Sequence, residues 1–221
     1  MRRSSLPALL ALVAVAVVAF GCGNGGDEES TDDPAVTGPS AMVERIELDG
    51  TSALVWGDGP RGALLAHGAA FDAASWQDQA DQIAALGFTV LAVEDTGHDG
   101  LIAGEAYLRD DADVGDVAFI GGSAGADSML SLLSEQPDLA DQVILLSPNR
   151  VVEGLGTQPK LFIASEDEAV TDVSTELAGA SPGDQNEALI VPGSAHAQNM
   201  FASDQADAVI GAILERLDSP S

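Results

Sequence analysis

Chemistry is carried first by Ser123. It stands in Gly121-Gly122-Ser123-Ala124-Gly125, a Gly-x-Ser-x-Gly pattern, between a short apolar run, Val117 to Ile120, and a segment from Ala124 to Leu133 with apolar residues at helical spacing. A serine on a sharp strand-to-helix turn points its hydroxyl out of the backbone. The residues two before and two after it then approach the opposing chain so closely that a side chain would collide, and glycine has none. The same turn leaves the first amides of the helix unpaired, so the Ala124 N–H can face an oxyanion beside Ser123 Oγ. That is the chemistry of nucleophilic acyl transfer. A structural Gly/Ser-rich loop also fits the pentapeptide. The two readings are decided by whether an acid and a histidine follow in that order.

Such a serine needs a sheet whose strands end together. Val43 to Leu48 and Ser52 to Trp56 alternate around Asp49-Gly50, a hairpin signal. Gly62 to Ala66 reads as a buried strand that empties into His67-Gly68-Ala69. Trp76, Ala80, Ile83 and Leu86 space an amphipathic helix over Ala74 to Leu86, ended by Gly87. Phe88 to Val93 is the next strand, His98 falls in the loop after it, and Ile102 to Leu108 is a short helix. Val143 to Leu146, Leu161 to Ala164 and Ala188 to Val191 are further strands, Thr171 to Ala178 is helical, and Phe201 to Leu217 is one terminal helix. Short apolar strands alternating with helices predict an α/β fold: a mostly parallel central sheet with helices on both faces and ligands beyond the carboxyl ends of the strands.

With these pieces in place the chain resembles the α/β-hydrolase superfamily, as a small dienelactone-hydrolase-like or lysophospholipase-like member, across residues 43–217. The resemblance implies the α/β-hydrolase fold. It makes Ser123 the nucleophile, and His196, in Pro192-Gly193-Ser194-Ala195-His196-Ala197, the base that takes the serine proton and passes it to the leaving group. The backbone after His67-Gly68 supplies the second oxyanion amide, which places Ala69 beside Ala124. Glu94 to Gly100 matches the family's Asp-x-Gly-His-Gly type of loop. His67 has an ordering role, and His98 is structural or substrate-facing. The family's acid is an aspartate three residues after a glycine. Ser165 stands at the glycine position of Ser165-Glu166-Asp167-Glu168, so the register selects Glu168, with Asp167 as the alternative because aspartate is the commoner residue in the role. Adjacent side chains at a strand end point in different directions, so only one of the two reaches His196. The loop from His98 to the elbow is short and no lid is inserted between Leu146 and Pro159, which implies an open, shallow site for small or protruding substrates.

The function expected is a serine hydrolase acting on a carboxylic ester, thioester or lactone through an acyl-serine intermediate, with no cofactor. Three scattered histidines among many carboxylates lack an HExxH or other compact ligand spacing, so no metal is expected. The alternative is a catalytically degenerate surface lipoprotein with a binding or scaffold role.

The amino end adds a location. Arg2-Arg3 followed by an apolar run from Leu6 to Phe20 reads as an export signal over residues 1–21, too short for an ordinary membrane span. Ala19-Phe20-Gly21-Cys22 resembles the lipobox of bacterial lipoproteins, which implies lipidation of Cys22 and anchorage on the extracytoplasmic face of the membrane. The alternative is a secreted protein cut nearby. Cys22 is the only cysteine, which excludes an intrachain disulfide and a cysteine-based metal cluster. Residues 22–41 carry that cysteine and a Gly, Ser, Pro and acid-rich tether, and residues 42–218 form one domain. All 36 acidic residues but only six of the basic ones follow Cys22, leaving a charge near −30. Such a surface repels nucleic acid and, with a single lysine, Lys160, looks halophilic: salt would screen its self-repulsion. The alternative is an acidic secreted protein with no salt requirement. The sequence carries no signal for an oligomeric state.

Overall fold

The computed structural model describes residues 42–219. The export signal, Cys22 and the tether of 22–41 lie outside the described residues. Eight strands form one sheet in the order β1-β2-β4-β3-β5-β6-β7-β8. The strands are β1 (Glu44–Leu48), β2 (Thr51–Trp56), β3 (Arg61–Ala66), β4 (Phe88–Val93), β5 (Val117–Gly122), β6 (Gln142–Leu146), β7 (Lys160–Ser165) and β8 (Asn186–Val191). β1 pairs antiparallel with β2, and β2 antiparallel with β4; every other pairing is parallel. The β1–β2 turn takes positive φ at both Asp49 and Gly50, as a two-residue hairpin requires.

The helices are α1 (Gln77–Ala85), α2 (His98–Ala106), α3 (Ala124–Glu135), α4 (Thr171–Ala180) and α5 (Ala206–Asp218). Alternation along the strands splits the core in two. Ala63 and Leu65 of β3 pack with Trp76, with Ile83 of α1 and with Val209, Ile213 and Leu217 of α5. Leu64 and Ala66 pack on the other face with Leu101 of α2, Met129 and Leu133 of α3 and Leu177 of α4. A sheet covered on both faces needs strands apolar on both sides, and β4 (FTVLAV) and β5 (VAFIGG) are buried at every residue.

Three helices differ from the sequence expectation, the first being the one expected over Ala74 to Leu86, which is a 3-10 turn, Ala73–Trp76, followed by α1. The helix expected over Ile102 to Leu108 begins at His98, which is therefore its first residue rather than a loop residue, and runs on into a wide π turn, Tyr107–Asp111. Only Leu101 and Gly104 of α2 are buried, so the apolar period that marks a helix is faint there. The single terminal helix is broken: a 3-10 segment, Ala197–Ala202, precedes α5. Ser203 makes the break, its Oγ donating to the Met200 carbonyl and accepting the Gln205 N–H, a local bond that competes with helix continuation.

The single lysine is not on the surface. Lys160, at the start of β7 and so at the edge of the sheet opposite Ser123, is fully buried. Its ammonium donates to the carbonyls of Gly156 at 2.6 Å, Gln158 at 2.7 Å and Pro182 at 2.9 Å, and so ties two loops together. Burial pushes its pKa down from 10.5 to about 8. The folded chain then gives up this proton before the unfolded one does, so stability rises with pH between about 8 and 10.5 as the charged form's burial cost is relieved. Lys160→Met leaves buried carbonyls without donors and is expected to cost about 2–4 kcal/mol while leaving activity at the far edge intact. The gap in Tm between the wild type and this variant should widen from pH 8 to pH 10. A gap that stays constant or narrows would contradict the shifted ammonium.

Among the described residues, arginine ion pairs reach three carboxylates, Glu105, Asp141 and Glu187. With the lysine withdrawn into the core, these arginines supply the permanently charged partners of carboxylates among the described residues.

Candidate active site

Ser123 follows β5 and precedes α3, with φ 49° and ψ −110°, a strained conformation for a residue with a side chain. The turn is held by Ser123 N donating to the Leu146 carbonyl and Asp127 N donating to that of Ser123, both at 2.9 Å. The flanking glycines are steric necessities. A Cβ on Gly125 would lie 2.4 Å from the Ala66 carbonyl oxygen, and one on Gly121 would lie 2.8 Å from the Ala126 nitrogen. Helix α3 thus crosses β3 and β5 at backbone contact, and the Ser123 hydroxyl is thrust out at the carboxyl edge of the sheet.

That hydroxyl meets His196. His196 Nε2 lies 2.8 Å from Ser123 Oγ, and His196 Nδ1 lies 2.5 Å from Glu168 Oε2. The three groups come from the ends of β5, β7 and β8 and form one hydrogen-bonded chain. Asp167 is not in it: its amide donates to the Gly193 carbonyl at 2.9 Å and the residue is exposed. Glu168 curls back toward its own strand instead. Its Oε1 accepts from the Ser165 N–H at 2.5 Å and from Ser147 Oγ at 2.9 Å. The carboxylate is 3 % exposed, yet three donors converge on it, which offsets the burial of its charge. The imidazole is 41 % exposed, so the far end of the chain opens to solvent.

Two residues that sequence reasoning passed over complete the frame. Ser147, fully buried and at φ 48°, donates to Glu168 and accepts the Ala197 N–H at 2.9 Å, so one hydroxyl locates both the carboxylate and the residue after His196. Gln198 accepts the Gly68 N–H at 2.7 Å. A serine directly after the apolar run Val143 to Leu146, at a carboxyl strand end, was the only local signal for the first; nothing local marks the second.

The loop after β3 lies against the elbow: a Cβ on Gly68 would stand 3.4 Å from Ser123 Cβ. Gly68 O accepts from Phe71 N at 3.0 Å, which makes Ala69 the second residue of a tight turn. Among the described residues the amides of Ala69 and Ala124 donate to no other group, so both remain open to an incoming oxygen. His67 is occupied, Nδ1 with the Gly68 carbonyl at 2.9 Å and Nε2 beside Glu94. His98 heads α2 and is not part of the Ser123 chain.

Comparison with solved structures gives dienelactone hydrolase from Anabaena variabilis at a TM-score of 0.69 and 15 % identity, covering 80 % of this chain and 97 % of that one. The fold is that of the α/β-hydrolases. A predicted CIB-like hydrolase from Thermoplasma acidophilum matches at a TM-score of 0.64 with 19 % identity over 80 % of this chain and 97 % of its own. A hormone-sensitive lipase from a metagenome library gives 0.62 and 17 % identity over 80 % and 85 %. No family model and no curated protein matches the chain in sequence. In this α/β-hydrolase fold the Ser123, His196 and Glu168 side chains occupy the carboxyl edge of the parallel strands, where ligands of open α/β sheets bind.

Proposed function

We propose that the chain is a serine hydrolase that cleaves carboxylic esters, thioesters or lactones through an acyl-serine intermediate. The observation that carries this reading is the Ser123–His196–Glu168 hydrogen-bonded chain, placed on a strained turn with two open amides beside it. Ser123 Oγ attacks the substrate carbonyl carbon as its proton passes to His196 Nε2. The carbonyl oxygen takes the electron pair and is received by the amides of Ala69 and Ala124. Collapse re-forms the carbonyl, breaks the bond to the leaving oxygen or sulfur, and returns the proton from His196 to it. Water then repeats the sequence, giving the acid and free Ser123. Throughout, Glu168 holds the proton on Nδ1 and stabilises the imidazolium.

The half-exposed imidazole and the absence of a helical insertion between β6 and β7 favour small acyl groups or substrates that protrude toward the protein. The wild-type chain is expected to be labelled by a fluorophosphonate probe and to turn over short-chain aryl esters. A chain that does neither is a scaffold rather than an enzyme.

We also propose that Cys22 is lipidated and anchors the domain on the extracytoplasmic membrane face through the tether of residues 23–41. The apolar run Leu6 to Phe20, the Gly21-Cys22 pair and the acid-rich segment after it support this. Mass spectrometry of the mature amino terminus should find an acylated Cys22; a terminus beyond it would place the protein free in solution.

A further inference from the structure

Gln198 is 5 % exposed and lies two residues after His196, at the base of the site rather than at its mouth. Its two amide ends have separate tasks. Oε1 accepts the Gly68 N–H at 2.7 Å, and Nε2 donates to Ser75 Oγ at 2.6 Å. The orientation is fixed by the backbone, because an N–H can only meet the oxygen. Ser75 in turn donates to the Asp72 carbonyl at 2.5 Å, while its own N–H is capped by Asp72 Oδ1 at 3.0 Å. The segment between β3 and α1 is therefore held at both ends by one side chain, with the open Ala69 amide between the two points of attachment. Gln198 also lies beneath the elbow: a Cβ on Gly122 would stand 3.3 Å from its Oε1. Elbow, oxyanion loop and histidine loop converge on this amide.

We infer that Gln198 is a positioning residue for oxyanion stabilisation, aiming the Ala69 amide through Gly68 and Ser75. The inference rests on the proposed hydrolase reading and extends it to a residue that touches neither the substrate nor the Ser–His–Glu chain. An amide aimed at the developing oxyanion acts in the transition state and adds little to ground-state binding. Loosening it lowers kcat and spares KM.

Gln198→Met keeps the volume and removes both hydrogen bonds. Expected is a loss of about 10- to 100-fold in kcat with KM within about twofold, less than the full cost of deleting an oxyanion donor because the loop is loosened and not removed. The rate ratio between an oxoester and the matching thionoester should fall as well, since sulfur accepts hydrogen bonds weakly and gains little from a well-aimed amide. The acid limb of the kcat/KM pH profile, set by the proposed base, should not move. Ser75→Ala, at a half-buried position outside the core, should give a few-fold loss with the same fall in that ratio and should add nothing in the Gln198→Met background. An active wild type whose Gln198→Met variant keeps its kcat, loses only in KM, or loses kcat with the ester ratio unchanged overturns the role of Gln198 alone. If Gln198→Met fails to fold, Ser75→Ala decides by the same ratio, and an unchanged ratio rejects the role. A wild type without esterase activity or probe labelling overturns both this inference and the hydrolase reading.

Discussion

Ser123→Ala is expected to abolish fluorophosphonate labelling and to lower ester turnover by roughly 10⁴- to 10⁶-fold, while the domain keeps its fold. The size follows from what remains. His196 and Glu168 stay hydrogen-bonded without the hydroxyl, but under the proposed mechanism the covalent intermediate can no longer form, and the expected residual rate is that of water attacking a carbonyl held at the proposed oxyanion amides of Ala69 and Ala124. Stability should change little. Position 123 sits at φ 49° whichever side chain it bears, and the turn is held by backbone bonds to Leu146 and Asp127 that alanine retains. Loss of activity with an unchanged Tm is therefore the diagnostic pair. His196→Ala should fall to a similar floor, and the double variant no further, because the two residues act as one unit. Labelling that persists undiminished in Ser123→Ala would remove the serine from the mechanism and with it the reading of the elbow.

The strands could be read from the sequence for a physical reason: a sheet covered on both faces demands uninterrupted apolar runs, and β4 is such a run from end to end. The elbow was legible because its constraint is local. Gly121 and Gly125 answer to backbone approaches within a few residues of Ser123 and to the adjacent strand, so their spacing is written into five consecutive residues. Helix α2 lacked that advantage, since it buries only Leu101 and Gly104, which leaves almost no apolar period to detect. The terminal helix failed differently: Phe201 falls in phase with α5 and packs its ring on the edge of Trp76, at 5.9 Å between centroids, while belonging to the preceding 3-10 segment. Least legible were Ser147 and Gln198. The Gln198 contact with Gly68 spans 130 residues, and no spacing rule announces which glutamine will meet which amide once eight strands have assembled.

Glu168→Gln is expected to lose at least about a hundredfold in kcat, toward the ten-thousandfold seen when the triad acid of a serine protease is amidated, and Asp167→Asn to stay near wild type. An amide can sit beside Ser165 and His196 in only one orientation. Oε1 faces the Ser165 N–H, a backbone donor that cannot change its role, so the amide oxygen is held there and the NH₂ is turned toward His196 Nδ1. An NH₂ can only donate. It forces Nδ1 to accept, moves the ring proton to Nε2 and presents Ser123 Oγ with a donor where a base is required. Flipping the amide offers no escape, because its NH₂ would then oppose the Ser165 N–H at a side chain only 3 % exposed to solvent. Ser147 reinforces the same orientation, since its hydroxyl already accepts from Ala197 N and is set to donate to the oxygen. Asp167 escapes all of this: it is exposed, and the bond that holds its place in the loop is made by its backbone. The pair should be measured separately, with intact fold checked by thermal unfolding. If Glu168→Gln keeps full activity and Asp167→Asn loses it, the acid stands one residue earlier than the hydrogen bonds place it. If both stay active, the carboxylate that orients His196 during turnover comes from another loop, and the buried Glu168 serves only to join β7 to the histidine loop.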